Sequence, residues 1–389
     1  MSRKAILAFE KIVGSTPVAL ARHYCTPLVV RWLFMLRMQG FDEIQISAPE
    51  DIVLAVEKLV GSGEKLGLIV TYTQEQSPTR DEKDTSEVLW INADYLIDPE
   101  ALRAFLEKGY FEGTGGGKTL LKWTGRLASA GSVELDSLVE PARRPAWVYG
   151  GDLRGARSAI LKWSQKRIHL TSRLNAPLEN TLIWMLGDTC EITPNRITLT
   201  INLLLPLAVA LFLTGEFLYA SLFSYFLGVL DGVDGKLARA RGVLSRLGHL
   251  EHSLDTLYEQ ALYASFTLGL AIKGYGVLAL AMGLAFIVTD SFVRHLYNQF
   301  QLVVGKPLKE YSDFNRKFSR VDGRRNFYVI YFIVSSALGV PLIGLAAALT
   351  HSVITAVVYL ISVAVHLDRL DEEEGTKSFL RLIRVRDKS

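Results

Sequence analysis

The feature that most limits how this chain can fold is a succession of apolar segments after Ile197. Six can be counted, at roughly 197–214, 217–235, 253–272, 275–293, 327–349 and 351–367. A helix needs about 20 apolar residues to cross the hydrocarbon core of a bilayer, and several segments approach or exceed that length. Lipid offers no hydrogen bonds to a polypeptide backbone, so spans of this kind are helices. The connections after the first, third and fifth are very short: Thr214-Gly215-Glu216, Lys273-Gly274 and Thr350-His351. The opposite ends are basic, with Arg239, Arg241 and Arg246 in one loop, Arg294 through Arg325 in another, and Arg369 through Lys388 in the tail. That asymmetry predicts six spans in a cell membrane, with both termini and the basic loops in the cytoplasm.

Two of these spans end in carboxylates. Asp231 and Asp234 close the second at i, i+3 and share a helical face. Gly235 and Ala238 beside them have little bulk, and Arg239 is long enough to reach a phosphate. The third span opens with Glu251 and Asp255 at i, i+4, and Glu259 continues that face one turn deeper. Acids are costly in a membrane and mark functional sites, here at the cytoplasmic depth where spans two and three meet as antiparallel neighbours. Gathered carboxylates repel one another unless a cation neutralises them. Hard oxygen ligands favour Mg²⁺, Mn²⁺ or Ca²⁺ over zinc.

Composition divides the chain. Of its 389 residues 49% are hydrophobic, and these concentrate after about residue 197, which leaves the first half for a soluble domain. The net charge of +3 is too small to argue for nucleic acid, and none is expected as a partner. Cys25 and Cys190 lie far apart without ligand spacing, so neither a disulfide framework nor a zinc site is expected. The opening MSRKAILAFEKIVG lacks the apolar core and cleavage site of a signal peptide, which keeps the N-terminal half in the cytoplasm.

Within that half, Ala5–Phe9, Ile44–Ser47, Leu66–Tyr72 and Val88–Ile91 read as buried strands. Pro27–Gln39, Pro49–Leu59 and Pro99–Lys108 between them have helical periodicity. The alternation predicts a mostly parallel, doubly wound α/β domain over residues 1–110. KAILA, TPLVVRWLFMLRMQGFDEIQI and VLWINADYLIDPEAL resemble the sugar-nucleotide pyrophosphorylase and cytidylyltransferase domain. That resemblance puts Asp94 where the family has a metal-binding aspartate. The glycine-rich triphosphate loop of that family is missing, since Phe9-Glu10-Lys11-Ile12-Val13-Gly14-Ser15-Thr16 has one glycine. The expectation is a fold retained with its chemistry lost or altered.

Residues 111–145 read as a linker. Gly113-Thr114-Gly115-Gly116-Gly117-Lys118-Thr119 is one residue short of a phosphate-binding loop and reads as a flexible loop. Residues 146–196 read as juxtamembrane helices, and the basic run Arg143, Arg144, Arg154, Arg157, Lys162, Lys166 and Arg167 suits an anionic membrane surface. The six-span domain then covers 197–367, and 368–389 form a cytoplasmic tail.

At the acid cluster the sequence resembles the CDP-alcohol phosphotransferase family, in which D-x-x-D-G-x-x-A-R is followed by eight residues, a glycine and then D-x-x-x-D. Asp231, Asp234, Gly235, Ala238, Arg239 and Gly248 match. The second half departs: Glu251 comes one residue early and stands for the first aspartate of the pair, with Asp255 as the second. An alternative register uses Asp255 with Glu259. The resemblance extends over about 170–367. It includes ITPNRIT, whose Pro194 and Asn195 would lie near the bound nucleotide, and GRRNFY, whose Arg324 and Arg325 would face an acceptor phosphate.

The resemblance implies transfer of a phospho-alcohol group from a CDP-alcohol to an acceptor hydroxyl, with release of CMP. Asp231, Asp234, Glu251 and Asp255 would hold Mg²⁺ or Mn²⁺, and Asp255 would be the general base. Gly235, Ala238, Arg239 and Gly248 would shape the CDP site. A cytidylyltransferase-like domain in front is the arrangement of bifunctional enzymes making CDP-inositol and di-myo-inositol phosphate phosphate, which points to an inositol-phosphate acceptor. A phospholipid synthase using CDP-diacylglycerol is the alternative within the class, and a homodimer is compatible with it. A cation transporter using the acids as its ion site is the rival from another class, against which the absence of a charged relay in the outer halves counts. For the first half the rival is a non-catalytic docking or regulatory domain.

Overall fold

The computed structural model describes residues 3–14, 16–74, 87–124, 130–165, 170–242 and 248–373, the last stretch with its side chains from Ser253 onward. Two compact units result. One comprises Met1–Gln165, Asn180–Pro194 and Val233–Ser245; the other comprises Lys166–Glu179, Asn195–Gly232 and Arg246–Ser389.

The first unit is built on β1 (Lys4–Ala8), whose KAILA sequence is buried after its first residue, as a strand flanked on both sides requires. Two short hairpins follow, β2 (Ile12–Val13) with β3 (Thr16–Pro17) and β4 (Arg22–His23) with β5 (Thr26–Pro27). Then come α1 (Leu28–Met38), β6 (Glu43–Ser47), α2 (Glu50–Val60), β7 (Ile69–Thr73), β8 (Val88–Asn92), β9 (Tyr95–Ile97) and α3 (Pro99–Lys108). α1 is buried almost all round, and its Trp32 donates Nε1–H to the carbonyls of Ala93 and Tyr95, each at 3.2 Å. In α3, Asp98 caps the first turn by accepting from Glu100 N–H at 3.0 Å, Pro99 occupies the first position, and Gly109 ends the helix at φ 68°. Of these, β1, β6, β7, β8, α1, α2 and α3 fall where hydrophobic periodicity places them, and the short hairpins and β9 are additions.

The sheet is mixed and extends further than expected. Its order is β12-β10-β11-β8-β1-β6-β7, with β8, β1, β6 and β7 parallel and β11 antiparallel to both β8 and β10. The added strands are β10 (Tyr110–Gly115), β11 (Lys118–Trp123) and β12 (Ala130–Glu134), so the stretch expected as a linker supplies sheet. The glycine run expected as a flexible loop is a hairpin turn, in which Gly116 and Gly117 take φ of 56° and 76°. Positive φ at both central residues matches the twist of the flanking strands and suits glycine. Arg143, expected on a membrane-facing basic run, is instead buried against Asp98, with Nε to Oδ2 at 2.7 Å. β13 (Trp147–Tyr149) pairs with β9, and α4 (Leu153–Ser164) and α5 (Leu170–Leu186) follow.

Cys25 and Cys190 are disulfide-bonded, with Cα atoms 5.6 Å apart, against the expectation of none. A sequence separation of 165 residues says nothing about distance in space once β5 and the segment after α5 lie in the same unit.

Among the described residues four helical stretches are long and apolar enough to cross a membrane: Pro194–Thr214, Phe217–Arg241, Ser253–Val304 and Pro341–Glu373. The protein is a membrane protein. The first two are α6 and α7. The third folds back at Gly274, where φ is 108°, into α8 (Gly248–Leu270) and α9 (Gly276–Val304). The two halves approach closely, because a Cβ on Gly283 of α9 would lie 2.1 Å from the Thr267 side chain of α8. Two short helices, α10 (Leu308–Tyr311) and α11 (Asp313–Phe318), precede α12 (Arg325–Ala337) and α13 (Pro341–Glu373).

The last two expected spans divide elsewhere. α13 runs unbroken through Thr350-His351, and the break lies at Leu338–Val340, where Gly339 takes φ 73° and Pro341 starts the next helix. Glycine and proline outweigh the polar pair that suggested the later break. α12 then has 13 residues, about 20 Å of helix against the roughly 30 Å of a hydrocarbon core.

Candidate active site

Asp231 and Asp234 lie one turn apart on α7, Asp231 partly buried and Asp234 completely. Within the membrane unit, Arg325, the first residue of α12, donates from Nη2 to Asp231 Oδ2 at 2.6 Å. Its Nη1 lies 3.2 Å from Oε1 of Glu259 on α8. Glu259 also pairs with Arg294 of α9, and Arg294 donates from Nε to Asp290 Oδ2 at 2.8 Å. Gln260 donates to the same oxygen at 2.8 Å. Charges therefore alternate along Asp231, Arg325, Glu259, Arg294 and Asp290, on four helices. A charge buried without a partner costs several kcal/mol, and here each has at least one. The Tyr258 ring sits 5.3 Å from the Arg325 guanidinium carbon, a cation–π distance.

This ladder forms one side of a cavity of about 210 Å³. Arg294, Lys309, Arg324 and Arg325 line it together with Glu259, Asp290 and Asp322. Arg324 is forked onto Asp322, with Nε to Oδ1 at 2.8 Å and Nη2 to Oδ2 at 2.6 Å. Tyr359 of α13 donates its hydroxyl to Asp322 Oδ2 at 2.7 Å, and Lys309 Nζ stands 3.9 Å from that oxygen. Asp322, 2% exposed, is thus held from several sides.

Compared with known proteins, residues 191–309 match the family described as CDP-alcohol phosphatidyltransferase. The matched stretch is less than a third of the chain. The match supports a CDP-alcohol phosphotransferase. No curated protein matches the chain. Similar solved structures include the phosphatidylinositol phosphate synthase PgsA1 of Mycobacterium tuberculosis with CDP-DAG bound, 20% identical, TM-score 0.37, covering 49% of this chain and 94% of that one. The same protein with manganese and citrate is 19% identical, TM-score 0.38, covering 49% and 88%, and its apo form is 20% identical, TM-score 0.38, covering 48% and 94%.

The signature residues of the transferase segment are distributed as follows. Pro194 and Asn195 open α6. Gly235 and Ala238 lie on α7, and Gly235 N–H bonds to Asp234 Oδ1. Arg239 donates from Nε to the carbonyl of Ser164 at 2.8 Å. Asp255 is partly buried on α8, one turn before Glu259. Gly248 and Glu251 belong to the α8 backbone, but the side chain of Glu251 lies outside the described residues. Glu251 and Glu259 are eight positions apart, about 12 Å along a helix axis. The α8 acid joined to Asp231 through Arg325 is Glu259.

Among the described residues no group of three histidine, cysteine or acidic side chains forms a metal cage. Mg²⁺ does not demand one, since it keeps several waters and is usually bound by one or two carboxylates with substrate phosphates. Oxygen-only donors at Asp231, Asp234 and Asp255 fit that chemistry.

Several partners of the candidate site escaped sequence reasoning. Asp290 and Arg294 stand at i, i+4 on α9, a charged pair in an apolar span that could have been singled out. Glu179 of α5 is 6% exposed, and a Cβ on Gly232 would come 2.5 Å from its Oε1, so the second residue of the D-x-x-D run is small for a visible reason. No local pattern in the sequence marks Glu179.

In the sheet unit, Asp94 is buried, and its Oδ2 accepts from Glu10 N–H at 3.1 Å. Burial raises its pKa, against the backbone N–H groups of Glu10 and Lys11. Lys11 and Lys118 both reach the Tyr95 hydroxyl, at 3.4 and 3.2 Å.

Proposed function

We propose that the enzyme transfers a phospho-alcohol group from a CDP-alcohol to the hydroxyl of a polar, anionic acceptor, releasing CMP. The observation that carries this reading is the D-x-x-D-G-x-x-A-R run of α7, whose first aspartate is tied by Arg325 to a cavity rich in cations. The acceptor oxygen attacks the phosphorus that bears the alcohol, the bond to CMP breaks, and the hydroxyl proton passes to Asp255 as general base. Asp231, Asp234 and Asp255, with Glu251 or Glu259 as the fourth acid, would hold Mg²⁺ or Mn²⁺. When bound, the ion would offset charge on the diphosphate. Pro194, Asn195, Gly235, Ala238, Arg239 and Gly248 would border the CDP moiety.

Arg324 and Arg325 face the cavity while engaged by Asp322, Asp231 and Glu259, so an acceptor phosphate shares these arginines with carboxylates rather than meeting them bare. Lys309 and Arg294 add positive charge to the same wall. An inositol-phosphate-type acceptor suits this lining, and CDP-diacylglycerol suits a donor reached from the bilayer. The basic ends support a site on the cytoplasmic side of the cell membrane.

The test is a screen of CDP-alcohols and acceptors on membranes containing the protein, with Mg²⁺ or Mn²⁺ and CMP release as the readout. CMP release that requires a phosphorylated polyol acceptor supports the reading. Ion flux in vesicles without CMP from any CDP-alcohol would replace it with the transporter.

A further inference from the structure

The last turns of α7 belong to the same compact unit as the β-sheet, and four cationic side chains fix them there. Arg31 of α1, 8% exposed, donates from one guanidinium nitrogen to the carbonyl of Ala240, the penultimate residue of α7, and to that of His23 at 3.2 Å. Three cations point outward from α7. Arg239 donates to the Ser164 carbonyl at 2.8 Å. Arg241 donates to the carbonyls of Gly187 at 3.2 Å and Thr189 at 3.0 Å. Lys236, fully buried, donates to the side-chain oxygens of Gln165 and Asn180. Cys190, next to Thr189, is bonded to Cys25.

The final carbonyls of a helix have no donors within it, and a cation at that end also meets the negative pole of the helix dipole. Arg31 supplies both. Burial lowers its pKa to about 10, with the Tyr24 phenol acting the other way, and the carbonyl end of α7 provides the compensating negative charge. Gly242 closes the helix at φ 68°, and a Cβ there would come within 3.2 Å of Arg31 Nη1. A helix end in water would be capped by solvent. Immobilising four long side chains costs about 1–2 kcal/mol of rotamer entropy each, so this arrangement does more than satisfy carbonyls. What it holds in place is Asp234, on the same turns and fully buried.

We propose that Arg31 is a positioning residue for phospho-alcohol transfer, and that the sheet unit acts as a non-catalytic clamp that fixes the α7 end carrying Asp234. The proposal rests on the transferase reading for its kinetic consequence and on the structure alone for its mechanical one. It also gives Arg239 of the signature a structural partner, Ser164, in addition to any contact with the donor.

The test uses the full chain in detergent or nanodiscs, with Arg31→Lys and Arg31→Ala. Lysine keeps the charge but lacks the planar fork, and misplacing reacting groups by about 1 Å costs up to ~100-fold. The expected result is a fall in kcat for CMP release of about 10-fold or more, with donor KM changed less than about two-fold. Amide exchange across 233–241 should quicken while β1 and β6 keep their protection. Methylguanidinium at millimolar concentration should restore part of the Arg31→Ala rate. Unchanged kcat in both variants overturns the proposal. So does a loss of activity that tracks lost protection throughout the sheet without chemical rescue. If the wild type releases no CMP, the transferase reading fails, and unchanged exchange at 233–241 in Arg31→Lys then overturns the clamp.

Discussion

Arg325 and Asp231, 94 residues apart in sequence, meet at 2.6 Å, and the same guanidinium lies 3.2 Å from Glu259. One arginine at the start of α12 thereby joins α7 to α8. Replacing it with glutamine leaves two carboxylates without their shared cation. The expected outcome is a loss of CMP release of about 100-fold or more, with a destabilisation of about 3–5 kcal/mol. Arg325→Lys keeps one charge but cannot bridge two acids as a fork, and should fall between. Initial rates and thermal unfolding in detergent check both.

The oxygen-only donor set proposed on α7 and α8 predicts divalent-metal dependence. Chelation should abolish CMP release, and Mg²⁺ or Mn²⁺ should restore it where Zn²⁺ does not. Calorimetric titration of Mn²⁺ into the protein with a CDP-alcohol present should show binding that weakens at least ~10-fold in Asp234→Asn.

The buried pair Asp98–Arg143 predicts a stability effect confined to the sheet unit. Asp98 is 0% exposed, caps α3 and holds Arg143 by a 2.7 Å bond. Asp98→Ala removes the cap and leaves Arg143 with the exposed Glu100, 3.0 Å from its Nε, at a cost of about 2–4 kcal/mol. Exchanging both partners for apolar residues should cost clearly less. The unfolding midpoints of single and double variants decide.

His23 gives the sheet unit a pH dependence. It is fully buried, and burial, aided by the nearby Arg31 charge, lowers its pKa to about 4. Above pH 6.5 the imidazole is neutral in both states and contributes nothing. As pH falls from 6.5 towards 4, the unfolded chain takes up a proton that the folded one refuses, so stability drops by about 3 kcal/mol across that window. Asp94, whose pKa burial raises, works in the opposite sense, binding its proton more readily when folded. Thermal midpoints of wild type and His23→Leu, measured between pH 4 and 7, should diverge as the pH rises, the wild type gaining and the variant staying flatter.

Much of the fold was legible because its signals are local. The strands at Lys4, Glu43 and Val88 and the helices at Leu28, Glu50 and Pro99 follow from apolar period, caps and prolines. The turns at Gly215 and Gly274 were likewise visible as short polar interruptions. What was missed is non-local. β10–β12 pair with strands whose position in the sheet no window reveals, and Cys25 and Cys190 meet only through the tertiary fold. The acid cluster was found by composition. Its partners were not, since the meeting of Arg325 with Asp231 and Glu259 depends on how three helices come together. Arg324 and Arg325 were expected to face a phosphate, and the carboxylates that share them were invisible at that level.

The most direct measurement is CMP release by wild-type and Asp255→Asn protein, in matched amounts in membranes, from a CDP-alcohol with a phosphorylated polyol acceptor and Mn²⁺. Asparagine keeps the shape of the side chain and removes its ability to take a proton. The account predicts steady release by the wild type and a fall of about 100-fold or more in the variant. Equal rates in the two, or no release by the wild type with any CDP-alcohol, would contradict it.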